Sequence, residues 1–211
     1  SAYSIIANLG VYNEPYFIQR IEDFKGNTLY ENFYHGIQRY APKSIYPLLN
    51  MMQGVVDGGT GRVVRRMGFK HPAAGKTGTT NSSKDAWFNG FTKDFSTSVW
   101  VGFDNNDPMV HRSGRGLTGG RAAAPIWVFY MQQALQGKNP IKFPIPEGIK
   151  FEKVDVQSGT LVDDQSAESM NVALKEETII PPRAIEPADT LMDQVPAEDS
   201  TTSELNNVPN P

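Results

Sequence analysis

The sequence predicts an α/β (α+β) fold in which an antiparallel sheet is flanked by helices. Three strand-like segments, residues 73–80, 85–92 and 96–104, follow one another with loops of four and three residues between them. Loops this short join antiparallel neighbours, because a parallel pair needs a crossover of a dozen or more residues. One helical pattern precedes the three segments and another follows them, so we expect helices to cover the sheet.

Two shorter elements are predicted ahead of the sheet. Residues 1–8 have the character of the end of a helix, and Gly10 is a suitable left-handed cap for it. Residues 16–24 and 28–33 are strand-like, and Lys25-Gly26-Asn27 between them is a turn signal, so we expect a hairpin. Since the sequence starts with Ser and no export segment precedes the helix, we expect the chain to begin inside a fold.

A longer helix is predicted between the hairpin and the sheet. Ser44 is a suitable N-cap, Pro47 fits the first turn, and Gly58-Gly59 ends the pattern. The side chains expected to form its apolar stripe are Leu48, Met51, Met52, Val55 and Val56. A stripe at this spacing indicates a helix that packs against the core.

The third strand and the helix after it have clear patterns. In the strand, Thr97, Val99, Val101 and Phe103 alternate with Ser98, Trp100 and Gly102. Such alternation indicates a strand with two different faces. After a Gly-rich loop, residues 122–135 predict a helix with Pro125 in its first turn and Gly137 beyond its end.

The chain divides into three parts by composition. Residues 1–137 contain the predicted sheet and helices, and residues 138–180 form a connector that begins with three Pro. We expect one or two short strands between positions 149 and 162, around Ser158-Gly159. Residues 181–211 contain six Pro and no aromatics, and their six acids outnumber one base, so we predict a disordered acidic tail.

Composition also limits the function. The absence of Cys excludes disulfides and thiolate chemistry, and the three His have no metal-like spacing. We expect no metal, no cofactor and no nucleic-acid partner. The longest apolar stretch, residues 122–131, is about half the roughly 20 residues of a membrane-spanning helix. Residues 61–121 hold ten basic and four acidic residues, so an anionic ligand would be attracted there unless this charge only serves solubility.

The most informative string is Lys76-Thr77-Gly78-Thr79, within the first predicted strand. A phosphate-binding P-loop would need Gly at position 70, which is Lys, and Pro72 interrupts that loop, so nucleotide binding is disfavoured. The competing interpretation is the Lys-Thr-Gly element of penicillin-binding proteins and serine β-lactamases. An ordinary turn-and-strand sequence remains an alternative.

A strand with these residues can line a cleft. Side chains alternate, so Lys76 and Gly78 share one face and Thr77 and Thr79 the other. The ammonium supplies positive charge near a substrate carboxylate and near a hydroxyl whose proton must move. The Thr hydroxyls can donate hydrogen bonds to the carboxylate, and Gly78 lets a substrate backbone approach closely.

Longer segments resemble a known family. Residues 74–92, 99–104 and 118–127 resemble the C-terminal half of the transpeptidase domain in class A penicillin-binding proteins, as do Ser1 to Tyr12 and Gly58 to Gly61. The resemblance spans roughly residues 1–165. The 1A type is the most similar, through Asp85-Ala-Trp-Phe88 and Phe143-Pro-Ile-Pro-Glu-Gly148.

The resemblance implies a serine β-lactamase/transpeptidase-like fold, incomplete at the N-terminus, with residues 1–137 as part of the transpeptidase domain. It implies an exported, membrane-anchored enzyme that polymerises glycan strands with one domain and cross-links D-Ala-D-Ala stem peptides with another, and that β-lactams acylate. Other cell-wall synthesis proteins are potential partners. By the same resemblance Lys76 and Thr79 are catalytic, while Thr77, Gly78 and Thr79 bind substrate. The backbone N–H of Thr79 would contribute to the oxyanion hole.

One departure from the family pattern limits this interpretation. The family needs Ser-x-x-Lys and then Ser-x-Asn before Lys-Thr-Gly, but the chain has no Ser-x-x-Lys, and its Ser169-Met170-Asn171 follows the motif. We expect the nucleophile and its lysine in the N-terminal part of the same protein, and we expect this chain alone to be inactive. The alternatives are a non-catalytic penicillin sensor or interaction module, and a soluble serine β-lactamase or D,D-carboxypeptidase.

Single residues are less informative. Trp87, Trp100 and Trp127 are expected to fill the core between sheet and helices. Asp85 is expected to be a solvated turn residue rather than one that orders the loop after the motif. The loop at 112–121, with four Gly and three Arg, would either rim the cleft and steer an anionic peptide or remain without a ligand.

Overall fold

The computed structural model describes residues 1–162 and 169–181. This part of the chain forms the following helices and strands: α1 Ala2–Ala7, β1 Val11–Tyr12, β2 Arg20–Glu22, β3 Thr28–Glu31, β4 Ile37–Gln38, α2 Pro42–Asp57, α3 Val63–Arg66, β5 Ala74–Thr79, β6 Asp85–Phe91, β7 Ser96–Gly102, α4 Gly119–Ala134, β8 Ile149–Asp155 and β9 Ser169–Lys175. A single 3₁₀ turn, Asn81–Ser83, joins β5 to β6.

The central sheet has three antiparallel strands in the order β5-β6-β7. Thr77 pairs with Phe88, which pairs with Val99, so these three residues share one face. The three strands and their antiparallel pairing are confirmed, as is the mixed fold with helices around an antiparallel sheet. Short loops and strict alternation explain why the prediction holds here.

Each face of the sheet has its own hydrophobic core. On the Phe88 face, α3 and α4 bury Val64 and Trp127, and the rings of Phe88 and Trp127 meet edge to face at 5.4 Å. On the opposite face, α1 and α2 cover Phe91, whose ring contacts Phe143 at 5.7 Å. The sheet therefore lies between two helical layers, as the sequence predicts.

Both long helices begin earlier than predicted. In α2, Ala41 is the N-cap and Pro42 occupies the first turn, so Ser44 is not the cap and Pro47 lies inside the helix. In α4, the cap position is Thr118, and Pro125 also lies inside the helix. Packing against the sheet outweighs the one backbone hydrogen bond that each internal Pro removes.

The buried stripe of α2 is also rotated relative to the prediction. The buried side chains are Tyr46, Leu49, Met52 and Val56. Leu48 and Met51, which were expected in the stripe, are 41% and 58% exposed. The spacing of the buried set still follows one helix face.

An arm between α1 and α2 contains the predicted hairpin. β2 and β3 pair antiparallel, and the carboxylate of Asp23 accepts hydrogen bonds from the backbone N–H of Lys25 and from both the backbone and the side chain of Asn27. These bonds to an ionised group lower the pKa of Asp23, the side-chain bond from Asn27 most of all. The antiparallel β1–β4 pair at the base of the arm was not predicted.

The segment after α4 folds back onto α2. β8 lies where one or two short strands were expected. It pairs with β9, a strand that was not predicted. Near Ser158-Gly159, a single bridge joins Val154 of β8 to Leu161. The ring of Phe151 meets Tyr46 of α2 at 6.3 Å, and Asn50 Oδ1 accepts the backbone N–H of Ala173 at 3.0 Å. The predicted disorder concerns residues that, except for Pro181, lie outside the described part.

No helix in the described ranges has both the length and the apolar character needed to cross a bilayer.

Candidate active site

Strand β5 carries the Lys-Thr-Gly string at one side of the sheet. It pairs with β6 only, so within residues 1–162 and 169–181 its outer edge has no partner strand. Thr77 and Thr79 face a groove beside α3 and α4, whereas Lys76 faces an apolar pocket beside α1 and α2. The side chains of this strand therefore alternate between two compartments, as strand geometry requires.

The groove on the Thr77 side has a volume of about 780 Å³. This size is within the range of small-molecule sites. Its lining consists of Gly58, Gly59, Thr60, Arg62, Val63, Arg66, Thr77, Thr79, Thr118, Gly120 and Arg121. Three of these residues are basic and none is acidic, so the groove favours an anionic ligand.

Two neighbouring segments hold the threonine side chains in place. The hydroxyls of Thr60 and Thr77 lie 2.8 Å apart and share a hydrogen bond, which ties the loop after α2 to the strand. The backbone N–H of Gly119, at the start of α4, donates to Thr79 Oγ1 at 3.1 Å. Since Thr79 Oγ1 accepts this bond, its own hydrogen is free to be donated to a ligand.

Gly119 must be a glycine at this position. A Cβ there would lie 2.1 Å from the carbonyl oxygen of Trp87 and 2.6 Å from that of Gly78. Both contacts are with backbone atoms of the sheet, so a side chain would have to push the helix away. The absence of a side chain lets α4 begin directly against the strand.

The backbone of β5 also presents polar groups at its unpaired edge. Thr80 N–H donates to the carbonyl of Asp85 at 3.2 Å, so this position forms a hydrogen-bonded pair with β6. Because hydrogen-bonded and non-bonded pairs alternate in an antiparallel ladder, the N–H groups of Thr77 and Thr79 point outward. An extended ligand can therefore hydrogen-bond along this edge.

Lys76 lies on the other side of the strand from the threonines. Its ammonium donates to the carbonyl of Thr77 at 2.8 Å and is paired with no carboxylate among the described residues. The adjoining pocket has a volume of about 340 Å³ and is lined by Ala2, Tyr3, Ile6, Leu48, Met52 and Lys76. A positive charge is thus held at the rim of an apolar space.

Asp85 orders the turn that follows the motif, contrary to the expectation of a solvated acid. Its carboxylate accepts hydrogen bonds from the hydroxyl of Thr80 at 3.1 Å and from the indole N–H of Trp100 at 2.8 Å. The prediction that all three Trp are core residues is also wrong. Trp127 is buried, but Trp87 and Trp100 are 40% and 44% exposed on the Lys76 face.

Across residues 1–162 and 169–181, no group of three or more His, Asp or Glu side chains is arranged to hold a metal ion. The polar groups of the groove are hydroxyls, guanidinium groups and backbone N–H groups. These groups bind a carboxylate rather than a cation.

A family model described as the penicillin binding protein transpeptidase domain matches residues 1–127, which is more than half of the chain. The chain belongs to the penicillin-binding protein transpeptidase family. It is 39% identical over 153 residues to penicillin-binding protein 1A of Neisseria lactamica, a match that covers 70% of this chain and 18% of the relative. The corresponding protein of Pseudomonas aeruginosa is 43% identical over 118 residues, which covers 56% of this chain and 14% of that relative.

Solved transpeptidase structures have the same fold. Penicillin-binding protein 1A from Haemophilus influenzae superposes with a TM-score of 0.73 at 26% identity, covering 86% of this chain and 32% of that one. PonA1 from Mycobacterium tuberculosis gives a TM-score of 0.63 at 32% identity, and the match covers 69% of this chain and 40% of PonA1. The chain spans about a fifth of the length of the curated relatives it matches.

The structure brings together part of the predicted site in this transpeptidase-family chain. Thr77 and Thr79 line the basic groove, while Lys76 is separated from them by the strand itself. Thr60 and Gly119, which contact the two threonine hydroxyls, were not predicted as site residues. Both residues lie in segments that resemble the family, and this resemblance is the sequence signal that could have identified them as site residues.

Proposed function

We propose that this chain is part of a peptidoglycan D,D-transpeptidase and that its groove holds the C-terminal carboxylate of a D-Ala-D-Ala stem peptide. The observation that carries the proposal is the pair Thr77 and Thr79, side by side in a basic groove at the unpaired edge of β5. Two hydroxyl donors near guanidinium groups suit a carboxylate, because hydrogen bonds to an ionised group are the strong ones.

Each residue of the motif has a distinct role in this proposal. The hydroxyls of Thr77 and Thr79 hold the carboxylate, and the outward N–H of Thr79 donates to the oxygen on which negative charge develops. Gly78 keeps the strand free of a side chain next to the substrate backbone. Lys76, on the opposite side, provides a positive charge beside the nucleophile's proton pathway.

The proposed reaction is acyl transfer through a serine. The serine oxygen attacks the carbonyl carbon of the penultimate D-Ala, the peptide C–N bond breaks, and the terminal D-Ala leaves with the serine proton on its nitrogen. An amine of a second stem peptide then attacks the ester, loses a proton and restores the serine hydroxyl. In a β-lactam the ring amide replaces the peptide bond; PonA1 from Mycobacterium tuberculosis, 31% identical with a TM-score of 0.58, has been solved in complex with penicillin V.

We propose that the remaining length of the protein supplies the nucleophile, since the chain has no Ser-x-x-Lys. In this proposal residues 1–137 are the C-terminal half of the transpeptidase domain, 138–180 are a connector and 181–211 are an acidic tail. The whole protein is membrane-anchored with this domain on the extracytoplasmic face, and it also carries a glycosyltransferase domain. Its partners are the stem peptide, β-lactams and other cell-wall synthesis proteins.

Acylation by a labelled penicillin tests the proposal. In the longer protein that contains these residues, Thr79→Val removes one donor to the carboxylate, and we expect acylation to slow about 10- to 100-fold. Thr79→Ser retains the hydroxyl and should acylate within several-fold of the parent rate. Thr28→Val, on the exposed hairpin strand β3, is the control for the Thr-to-Val change itself.

Two results would contradict the proposal. Equal acylation rates for the parent and Thr79→Val would exclude the carboxylate role of this hydroxyl. A stoichiometric adduct on the 211-residue chain alone would show that the nucleophile is one of its own residues.

A further inference from the structure

Three arginines line the groove beyond the threonine pair. Arg62 lies two residues after Thr60, whose hydroxyl contacts Thr77, and Arg66 follows it one turn later at the end of α3. Arg121 lines the same groove from the first turn of α4. The three side chains therefore come from two elements and face the same space.

These arginines have no partners in the described residues. None of the three guanidinium groups makes a hydrogen bond or ion pair within residues 1–162 and 169–181. Arg65, in the same short helix, is different. It pairs with Asp57 at 2.8 Å and donates to the carbonyls of Phe69 and His71, both at 2.8 Å. Arg65 thus has a structural role, whereas its groove-facing neighbours keep their donors available.

The charge of the groove exceeds what one carboxylate requires. The two threonine hydroxyls and the outward N–H groups of β5 already provide donors for the C-terminal carboxylate of a ligand. Three further cations remain, with no acidic side chain in the lining. Like charges that line one groove repel each other, and an anion between them offsets this repulsion.

We propose that Arg62, Arg66 and Arg121 form a second anion subsite, which binds a carboxylate carried on the body of the peptide rather than at its C-terminus. The ligand class is a D-Ala-terminated peptide with at least two carboxylates, one on the threonine pair and one on the arginines. This inference rests on the proposed function, because it takes the threonine pair as the site of the terminal carboxylate.

A pair of synthetic peptides separates the two carboxylates. Acetyl-Glu-D-Ala-D-Ala and acetyl-Gln-D-Ala-D-Ala differ by one charge only, and their dissociation constants for the 211-residue chain can be measured by NMR titration. We expect the Glu peptide to bind about three- to tenfold more tightly, since exposed ion pairs contribute modestly and two or three act together. The side-chain N–H signals of the groove arginines should shift with the Glu peptide, while that of Arg65 should not.

Variants assign the effect to the arginines. In the double variant Arg66→Gln with Arg121→Gln, the ratio of the two dissociation constants should fall to about one, because the Glu peptide loses more affinity than the Gln peptide. Lys93→Gln removes a charge at the β6–β7 turn, at the other end of the sheet from Thr79, and should leave the ratio unchanged. Raising the salt concentration to about 0.5 M should reduce the ratio in the parent chain.

The outcomes distinguish this subsite from the function on which it rests. If the Gln peptide binds and depends on Thr79, but the Glu peptide binds no better, the subsite is wrong and the proposed function stands. Equal losses for both peptides in the arginine variant would also overturn the subsite, since the arginines would then act on the shared carboxylate. If neither peptide binds, or if Thr79→Val changes neither affinity, the carboxylate groove itself is contradicted.

Discussion

Replacing Gly119 by Ala tests the contact between α4 and the sheet. The added methyl would lie 2.1 Å from the carbonyl oxygen of Trp87 and 2.6 Å from that of Gly78. Since these are backbone atoms of two adjacent strands, neither can rotate away as a flexible side chain would. The start of α4 must move outward, and the hydrogen bond from Gly119 to Thr79 lengthens beyond its present 3.1 Å.

The size of the effect follows from two contributions. Overpacking of this kind costs about 1–3 kcal/mol, and a lost hydrogen bond adds about 0.5–1.5 kcal/mol. For a chain of this length each kcal/mol lowers the melting temperature by about 2–4 °C, so a total cost of about 1.5–4.5 kcal/mol should lower it by roughly 3–18 °C. Thermal unfolding followed by circular dichroism measures it.

A second glycine provides the matched control. Gly54 lies inside α2, and a Cβ there would have no atom within 4 Å. Gly54→Ala should therefore raise stability by about 0.5–1 kcal/mol through helix propensity and unfolded-state entropy. If Gly119→Ala melts within about 1 °C of the parent chain, or if both variants shift the same way, the steric argument is refuted.

Three further predictions concern other contacts. Hydrogen bonds from Asn27 and neighbouring N–H groups lower the pKa of Asp23 in the folded hairpin. The stabilisation that the Asp23 carboxylate gives the hairpin is therefore fully present above the unfolded-state pKa of 3.8, and it is lost as the pH falls through the lower folded-state pKa. Carboxyl NMR titration of the parent and of Asn27→Ala should show a higher pKa for Asp23 in the variant. Asn50→Ala removes the acceptor of a β9 amide, and hydrogen exchange in β8 and β9 should accelerate about 2- to 10-fold. Thr60→Val removes the hydroxyl that orients Thr77 and should slow acylation of the longer protein several-fold, whereas Thr60→Ser should not.

The central sheet was predictable because its information is local. Residues 73–104 contain short loops and alternating side chains, and these two features specify antiparallel pairing without knowledge of the rest of the chain. The opposite orientations of Lys76 and Thr77 followed from the same alternation. The family resemblance added the significance of the motif, which periodicity alone does not provide.

The errors have non-local causes. Local capping rules placed Ser44 at an N-cap and Pro47 and Pro125 in first turns, but contacts with the sheet extend both helices toward their N-termini. The exposure of Trp100 depends on what covers the Lys76 face, which hydrophobicity does not indicate. β9 pairs with β8 and packs on α2, contacts that no local signal specifies. Thr60 was missed as a site residue because its partner is 17 positions away.

The length of β5 is as constrained as its composition. Ala73 belongs to one hydrophobic core and Ala74 to the other. Successive side chains of the strand therefore point alternately to the two faces of the sheet. Inserting or deleting a single residue between Ala74 and Thr79 would move the ammonium of Lys76 into the basic groove and the threonine hydroxyls into the apolar pocket. A substitution on one face of the strand can leave the other face undisturbed, whereas a shift of one residue in register changes both faces.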